Sequence, residues 1–355
     1  MQDFFILTLA FLAAYVGGIV GIKLKIPVGG MVGAMVGAVI FNVTVPMYAT
    51  LPNWFSLVFQ VPLGIMIGNK VTKEDLLSLA KLYKSYLVVL FTFLTLNIVF
   101  GLFLQYATML DLTTALFATS PGGMTDMVII SDDFGAVLPY VAVIQLFRNV
   151  SVMTFVSPIY RKIIKKNEQV TTNQNEHSTV GTQQGSNALR EHTYANRFAM
   201  TLLCSLPLAL GFRWLDIPAG TIIGAMLGAM AYNIYSKRAY FPKKLGVPMR
   251  ICAGFFVGMR IDRYNLETMA QLVTPLAYTL VYVFIVTFTT AFFVHKITKL
   301  DMATSLLVST PGGLSEMALI ADEMNLDTPK VAVLHTARLI SVIALFPTVF
   351  MLILR

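Results

Sequence analysis

Two carboxylates, Asp126 and Glu316, stand in closely similar surroundings. They belong to the octapeptides SPGGMTDM (120–127) and TPGGLSEM (310–317), each inside an otherwise apolar stretch. An ionisable group within a membrane segment is costly to bury and commonly marks an ion or proton pathway. We therefore predict that both carboxylates bind a coupling proton or ion. Local capping of a helix N-terminus is the alternative.

The residues just before each carboxylate predict a break in a helix. Pro and the Gly pair end one half-helix, and the next begins near Met124 with free N–H groups and a positive dipole end. Such ends bind anions. The candidate substrate or ion ligands at the two tips are Ser120, Gly122, Gly123 and Thr125 in the first copy and Thr310, Gly312, Gly313 and Ser315 in the second.

Two arginines, Arg148 and Arg338, lie near the middle of later apolar segments. A guanidinium at that depth needs an anionic partner or a water-filled cavity. A salt bridge to Asp126 or Glu316 is one interpretation. Contact with an anionic substrate is the other, because a guanidinium can bind a carboxylate or phosphate through two parallel hydrogen bonds. His335, about one helical turn before Arg338, is either a packing residue or a proton relay.

The composition predicts that these residues lie in a membrane. The chain has 355 residues, of which 56% are hydrophobic and 12% charged, whereas soluble domains carry about 25% charged residues. Runs such as 85–104 and 276–294 are long enough to cross a bilayer as helices. The first residues predict a retained span rather than a signal peptide. The net charge of +8 fits basic cytoplasmic loops and does not indicate nucleic acid.

The chain is an internal duplication. Residues 24–42 match 215–233, and residues 110–133 match 300–323. We predict a first membrane repeat (1–160), a polar cytoplasmic linker (161–196) and a second membrane repeat (197–355). The linker is rich in Gln, Asn and Thr and cannot form a core.

Small and amide residues recur at matching places in the two repeats. Gly29, Gly33 and Gly37 form a stripe in the first copy, and Gly220, Gly224 and Gly228 form its counterpart in the second. Such stripes favour close packing between helices. Asn42 and Asn233 follow the stripes and are candidates for hydrogen bonds across helices.

Loop charges predict how each repeat crosses the membrane. Each repeat has six apolar segments, and the Pro-Gly-Gly motif splits the fifth. If the fifth segment re-enters on one side, the basic clusters and the linker fall inside and both termini outside, as the positive-inside rule requires. The predicted fold is an all-α polytopic membrane protein with two inverted repeats, each of about five transmembrane helices plus one broken or re-entrant hairpin. Six crossings in parallel repeats are the alternative.

The two Pro-Gly-Gly motifs, each followed by an Arg-bearing helix, resemble those of the AbrB-type duplicated membrane protein family. The resemblance covers essentially the whole chain outside the linker. Members have been labelled regulators of gene expression and sometimes ammonia monooxygenases, although this sequence has no cluster of metal ligands. The family is distantly similar to inverted-repeat secondary transporters, including cation/proton antiporters and organic-anion carriers.

We therefore expect a secondary transporter of a small anionic solute, coupled to H⁺ or Na⁺, with its substrate site at the two hairpin tips near the membrane middle. The alternative is a membrane-bound regulator of gene expression or sensor that acts through partners. No enzymatic activity, metal or cofactor is expected. The expected partners are the lipid bilayer and a small molecule or ion, with no nucleic acid. A homodimer is one possible assembly. The expected location is the cytoplasmic membrane.

Overall fold

The computed structural model is all-helical over the part of the chain that it describes. That part comprises residues 2–26, 28–45, 55–156, 191–217, 219–261, 269–312, 317, 321 and 326–354. Most of the predicted linker (161–190) and three predicted tip residues, Gly313, Ser315 and Glu316, lie outside the described residues.

The helices of the first repeat follow the predicted order of apolar segments, with one amphipathic helix added after the third. They are α1 (Gln2–Lys23), α2 (Gly29–Thr44), α3 (Phe55–Gly68), α4 (Lys73–Lys81), α5 (Tyr83–Ala107), α6 (Leu112–Thr119), α7 (Met124–Asp132) and α8 (Leu138–Ser151), which continues as a π-helix over Val152–Val156.

The described helices of the second repeat follow the same order, while the segments that correspond to α4 and α7 fall largely on residues outside the described ranges. Its helices are α9 (Glu191–Trp214), α10 (Gly220–Ser236), α11 (Gly246–Gly258), α12 (Val273–Thr298), α13 (Met302–Val308) and α14 (Thr328–Leu354). Short 3₁₀ turns precede α11 and α12. The first six residues of α9 (191–196) belong to the predicted linker.

Within the described residues, five helices are long and apolar enough to cross a membrane: α1, α5, α8 with its π-helical continuation, α12 and α14. The second and third helices of each repeat are shorter, with 13 to 17 residues. At 1.5 Å per residue they are about 20–26 Å long. The chain is thus an all-helical membrane protein.

The packing of α3 against α10 shows that the repeats are inverted. Gly64 contacts the carbonyl of Ile222, and Gly68, one turn later, contacts that of Met226. Residue numbers rise together along both helices, so the helices are parallel. Successive crossings alternate in direction. A third helix can therefore run parallel to the second helix of the other repeat only if the repeats have opposite orientations.

The two asparagines confirm this relationship from both sides. The Asn42 side chain donates to the carbonyl of Ile261 at 2.7 Å, just beyond α11. The Asn233 side chain donates to the carbonyl of Val71 at 2.8 Å, just beyond α3. Each amide satisfies a backbone acceptor at the C-terminal end of the other repeat's third helix. The predicted hydrogen bonds across helices are present.

The glycine stripes pack each second helix against the first helix of its own repeat. Gly33 contacts the backbone of Gly17, and Gly224 contacts that of Leu208. A Cβ at either stripe position would collide with the facing backbone, so the close approach requires glycine.

Helices α5 and α12 pack against each other and run in opposite directions. The ring of Phe100 lies 5.0 Å from that of Tyr282, and the ring of Phe103 lies 5.2 Å from that of Tyr278. The numbers rise along one helix while they fall along the other. Corresponding helices run antiparallel only in inverted repeats, so the alternative of parallel repeats is wrong.

The first Pro-Gly-Gly segment is a re-entrant hairpin. The N–H of Val137, beyond α7, donates to Thr114 Oγ1, near the start of α6, at 2.9 Å. The rings of Phe117 and Phe134 also lie 5.0 Å apart. The chain therefore enters and leaves at the same end. We call that end of the molecule the hairpin face and the opposite end, where α8 leads into the linker, the linker face.

The helices pack as two bodies. The scaffold body contains α1–α3 and α9–α11, and the hairpin body contains α5–α8 and α12–α14. Contacts within each body are extensive, whereas those between the bodies are fewer and involve chiefly α11 with α7 and α8. Helix α4 lies on the linker face with no buried residue, as its amphipathic sequence predicts.

Candidate functional site

The first hairpin tip is a short stretch of extended backbone between two half-helices. Helix α6 is capped at its start by Asp111, whose side chain accepts from the N–H of Thr114 at 2.9 Å. It ends at Thr119, and α7 starts at Met124 after an uncapped Gly123. Asp301 caps α13 in the same way, accepting from Thr304 at 2.7 Å. Both repeats thus build the first half of the hairpin identically.

The two buried arginines hold the tip backbones. Arg148 donates to the carbonyl of Ser120 and, at 2.9 Å, to that of Gly122. Arg338 donates to the carbonyls of Thr310 at 2.6 Å and Gly312 at 3.2 Å. The carbonyls of Ser120 and Thr310 lie just after the first half-helices, where the helix dipole is negative, and those of Gly122 and Gly312 lie further into the break.

Neither guanidinium forms an ion pair with a described carboxylate, and Arg148 does not reach Asp126. Arg148 is 1% and Arg338 4% exposed, and Arg338 also lies 5.3 Å from the ring centre of Phe93. Backbone carbonyls are therefore the described partners of both guanidinium groups. The predicted salt bridge from Arg338 to Glu316 stays a prediction, because Glu316 lies outside the described residues.

His335 and Gln145 occupy equivalent places in the two repeats. Gln145 Nε2 donates to the carbonyls of Phe117 and Ser120 at 2.8 and 3.0 Å. His335 Nε2 lies 2.8 Å from the carbonyl of Leu307 and must be the donor, since a carbonyl only accepts. His335 Nδ1 is buried without a partner among the described residues, so the packing and proton-relay interpretations both stay predictions. The equivalence with Gln145 follows from the alignment of the repeats, but sequence reasoning did not use it.

Asp126 lies in the first turn of α7 and is only 7% exposed. It makes no hydrogen bond to any described residue, so it does not cap α7. Its carboxylate lies against Gly123, where a Cβ would collide with Oδ2. Lys70 is the cation whose charge acts on it. A buried carboxylate without a hydrogen-bond partner is costly unless a ligand or proton compensates it.

A cavity of about 390 Å³ lies beneath the first tip, between the two bodies. Its lining includes seven of the predicted site residues: Gly122, Gly123, Thr125, Asp126, Gly312, His335 and Arg338. Ser120, Arg148 and Thr310 support the tips from behind and do not line it.

The cavity opens toward the linker face. On the scaffold side its wall includes Lys70, just beyond α3, and Arg250, in α11. Helix α5 ends at the hairpin face, where the first hairpin starts, so it begins at the linker face. Helix α3, which precedes α4 and α5, therefore ends at the linker face. Sequence reasoning assigned no site role to Lys70, Arg250 or Asn149, which also lines the cavity. Only the folded structure, which brings these three residues to the cavity, distinguishes them from other polar residues in loops and helices.

The hydroxyl groups near the tip contact sulfur atoms. Ser120 Oγ lies 3.2 Å from Met127 Sδ, and Thr125 Oγ1 lies 3.3 Å from Met31 Sδ. A thioether is a weak acceptor. Thr125 lines the cavity, so its hydroxyl can exchange this contact for a stronger one to a ligand.

Comparison with known proteins identifies relatives over most of the chain. The "Uncharacterized protein YhjN" of Bacillus subtilis (strain 168) is 23% identical over 309 residues, covering 84% of this chain and 78% of that protein. The "Putative regulator AbrB" of Escherichia coli (strain K12) is 25% identical over 303 residues, covering 84% and 82%. No solved structure matches. The family model described as "Transition state regulatory protein AbrB" matches twice, at residues 1–165 and 163–354, and the chain therefore belongs to the AbrB family.

Proposed function

We propose that this protein is a secondary transporter that moves a small anionic solute across the cytoplasmic membrane, coupled to H⁺ or Na⁺. The observation that carries the proposal is the cavity between the two bodies, which reaches a broken-helix tip. Its lining includes the buried carboxylate of Asp126, which has no hydrogen-bond partner among the described residues. Non-helical backbone at membrane depth is tolerated where it lines such a cavity.

The inverted repeats support this function. In transporters built from inverted repeats, the substrate site lies near the repeat interface, and one body moves against the other to expose it alternately on each side. Here, the scaffold and hairpin bodies share few contacts, and the cavity between them opens on the linker face. We propose that this face is cytoplasmic, as the basic loops predict.

The charges around the cavity favour an anion. Lys70, Arg250 and Arg338 line it, against one described carboxylate, Asp126. The N-terminal end of α7 adds a further partial positive charge. We assign Asp126 to the coupling proton or sodium ion and assign no enzymatic activity, metal or cofactor to the protein.

Uptake by proteoliposomes containing the full chain tests the proposal. Labelled succinate and inorganic phosphate are offered with an imposed proton or sodium gradient. We expect uptake that depends on one gradient, and Asp126→Asn should remove that dependence. Asp216→Asn is the matched control, because Asp216 is exposed and has a positive φ that Asn tolerates.

The regulatory role named in the family description and in the name of the Escherichia coli relative is the alternative for this chain. A transporter changes gene expression indirectly when it changes the concentration of a solute. Folded protein that moves neither anion under any gradient would count against transport of this class and in favour of a regulator that acts through partners.

A further inference from the structure

We propose that Lys70 and Arg250, rather than the buried arginines, recognise the anionic group of the solute at the mouth of the cavity. The inference rests on the proposed function and adds a substrate class: a small organic or inorganic anion whose carboxylate or phosphate group lies between an ammonium and a guanidinium group.

The buried arginines are held in place by the tip carbonyls, although the Nε of each is buried without a partner in the described structure. Both terminal nitrogens of Arg148 donate to tip carbonyls, and Arg148 does not line the cavity. Arg338 lines it, but its two terminal nitrogens also donate to tip carbonyls. Redirecting either guanidinium to a solute would leave buried carbonyls without partners, which is costly.

Lys70 and Arg250 have donor groups left for a ligand. Both are exposed to the cavity mouth. Within the described residues, Lys70 makes no hydrogen bond or ion pair. Arg250 uses only Nε, which donates to the carbonyl of Gly246 at 3.1 Å. Its two terminal nitrogens remain available in the fork geometry that matches a carboxylate or phosphate.

The duplication provides an internal comparison. Residues 63–71 match 253–261, so Lys70 corresponds to Arg260 and Arg250 corresponds to Gln60. Arg260 forms an ion pair with Asp132, and Gln60 is buried and uncharged. At the equivalent places in the other half, one cation is ion-paired and the other residue is uncharged. Within the described structure, Lys70 and Arg250 are both cationic and neither forms an ion pair. The packing of the repeated unit therefore does not require cations without ion-pair partners at positions 70 and 250.

Charge balance also limits the ligand. With Asp126 ionised, the described charged residues of the cavity lining (Lys70, Arg250, Arg338 and Asp126) carry a net charge of +2. With a proton or sodium ion on Asp126, the balance rises by one. Loading of the coupling ion therefore strengthens anion binding, which links the two sites without direct contact between them.

The test measures anion binding separately from transport. Thermal stability of the purified full chain is followed at fixed ionic strength with increasing succinate or inorganic phosphate, for wild type, Lys70→Gln, Arg250→Gln and Arg250→Lys. Lys81→Gln is the matched control, because Lys81 is exposed on α4 at the same face. We expect each Gln substitution to raise the apparent Kd about tenfold or more, since charged hydrogen bonds are lost. Arg250→Lys should have an intermediate effect, and the control none.

The comparison of succinate with inorganic phosphate shows whether the site prefers a carboxylate or a phosphate group. Equal affinity of wild type and both Gln variants for an anion that binds would overturn the inference, as would stabilisation by cationic or neutral solutes alone. Coupled uptake of a neutral solute or cation would support the transporter proposal but overturn the proposal that Lys70 and Arg250 recognise an anion. Anion binding that depends on Lys70 and Arg250, without uptake under any gradient, would support the recognition site and count against the transporter.

Discussion

A bidentate ion pair joins Arg260 of the scaffold body to Asp132 of the hairpin body. Arg260 lies just beyond the end of α11, and Asp132 is the last residue of α7. Nη1 lies 2.9 Å from Oδ1, and Nη2 lies 3.0 Å from Oδ2. The next residue, Asp133, accepts from the N–H of Ala219, at the start of α10, at 3.1 Å. These contacts join the hairpin body to the scaffold body on the hairpin face, opposite the mouth of the cavity.

This ion pair predicts that covalent closure of the hairpin face stops transport. In a variant without Cys204 and Cys252, cysteines at 132 and 260 are joined by a short bifunctional thiol reagent. We expect uptake to stop because the bodies cannot separate on that face, while succinate or phosphate still stabilises the protein from the linker face. Each single-cysteine variant treated with the reagent is the control. Undiminished uptake after complete cross-linking would show that the hairpin face need not open.

Orientation in the membrane is predicted from loop charge and is testable at two exposed tyrosines. Tyr106, near the hairpin-face end of α5, is 91% exposed, and Tyr235, near the linker-face end of α10, is 94% exposed. A cysteine at each position, in the variant without native cysteines, is labelled in intact cells with an impermeant reagent. We expect labelling at 106 only, with both positions labelled after permeabilisation as the control. Labelling at 235 only would reverse the orientation.

Replacement of the buried arginines should affect stability before binding. Lys in place of Arg148 or Arg338 retains the charge but lacks the planar fork that contacts two tip carbonyls. We expect each substitution to lower the free energy of unfolding by about 1.5–3 kcal/mol, with little change in the apparent Kd for anions. Thermal unfolding with and without succinate measures both quantities. Lost anion protection at unchanged stability would place the arginine against the solute instead.

Gly123 should be required for the position of the coupling carboxylate. A Cβ at Gly123 would collide with Asp126 Oδ2, so Gly123→Ala should displace the carboxylate and reproduce the loss of gradient dependence expected for Asp126→Asn. The matched control is Gly211→Ala in α9, where a Cβ meets no atom within 4 Å. The control should be neutral or stabilise the helix by up to about 1 kcal/mol. Gradient-dependent uptake in the Gly123→Ala variant would separate the glycine from the coupling role of Asp126.

Much of the fold could be predicted because it depends on local or repeated patterns. A run of apolar residues specifies a membrane helix whatever surrounds it, and the Pro-Gly-Gly motif interrupts a helix through its own backbone constraints. The distribution of Lys and Arg between loops made re-entry and inversion the simplest solution. The contacts of Gly64 with Ile222 and of Asn42 with Ile261 then established the inversion from packing.

The partners of the charged groups depended on tertiary structure alone. From the sequence, a carboxylate and an anionic substrate were the two candidate partners of Arg148, because free backbone carbonyls near a helix break carry no residue signature. Lys70 and Arg250 resembled other basic residues near helix ends, since their spacing along the chain gives no sign that they meet at one cavity. The sequence by itself determined the duplicated, broken-helix architecture through patterns of neighbouring residues. Only tertiary structure decided which charges are compensated and which remain free, because compensation depends on distances between helices that are remote in the chain.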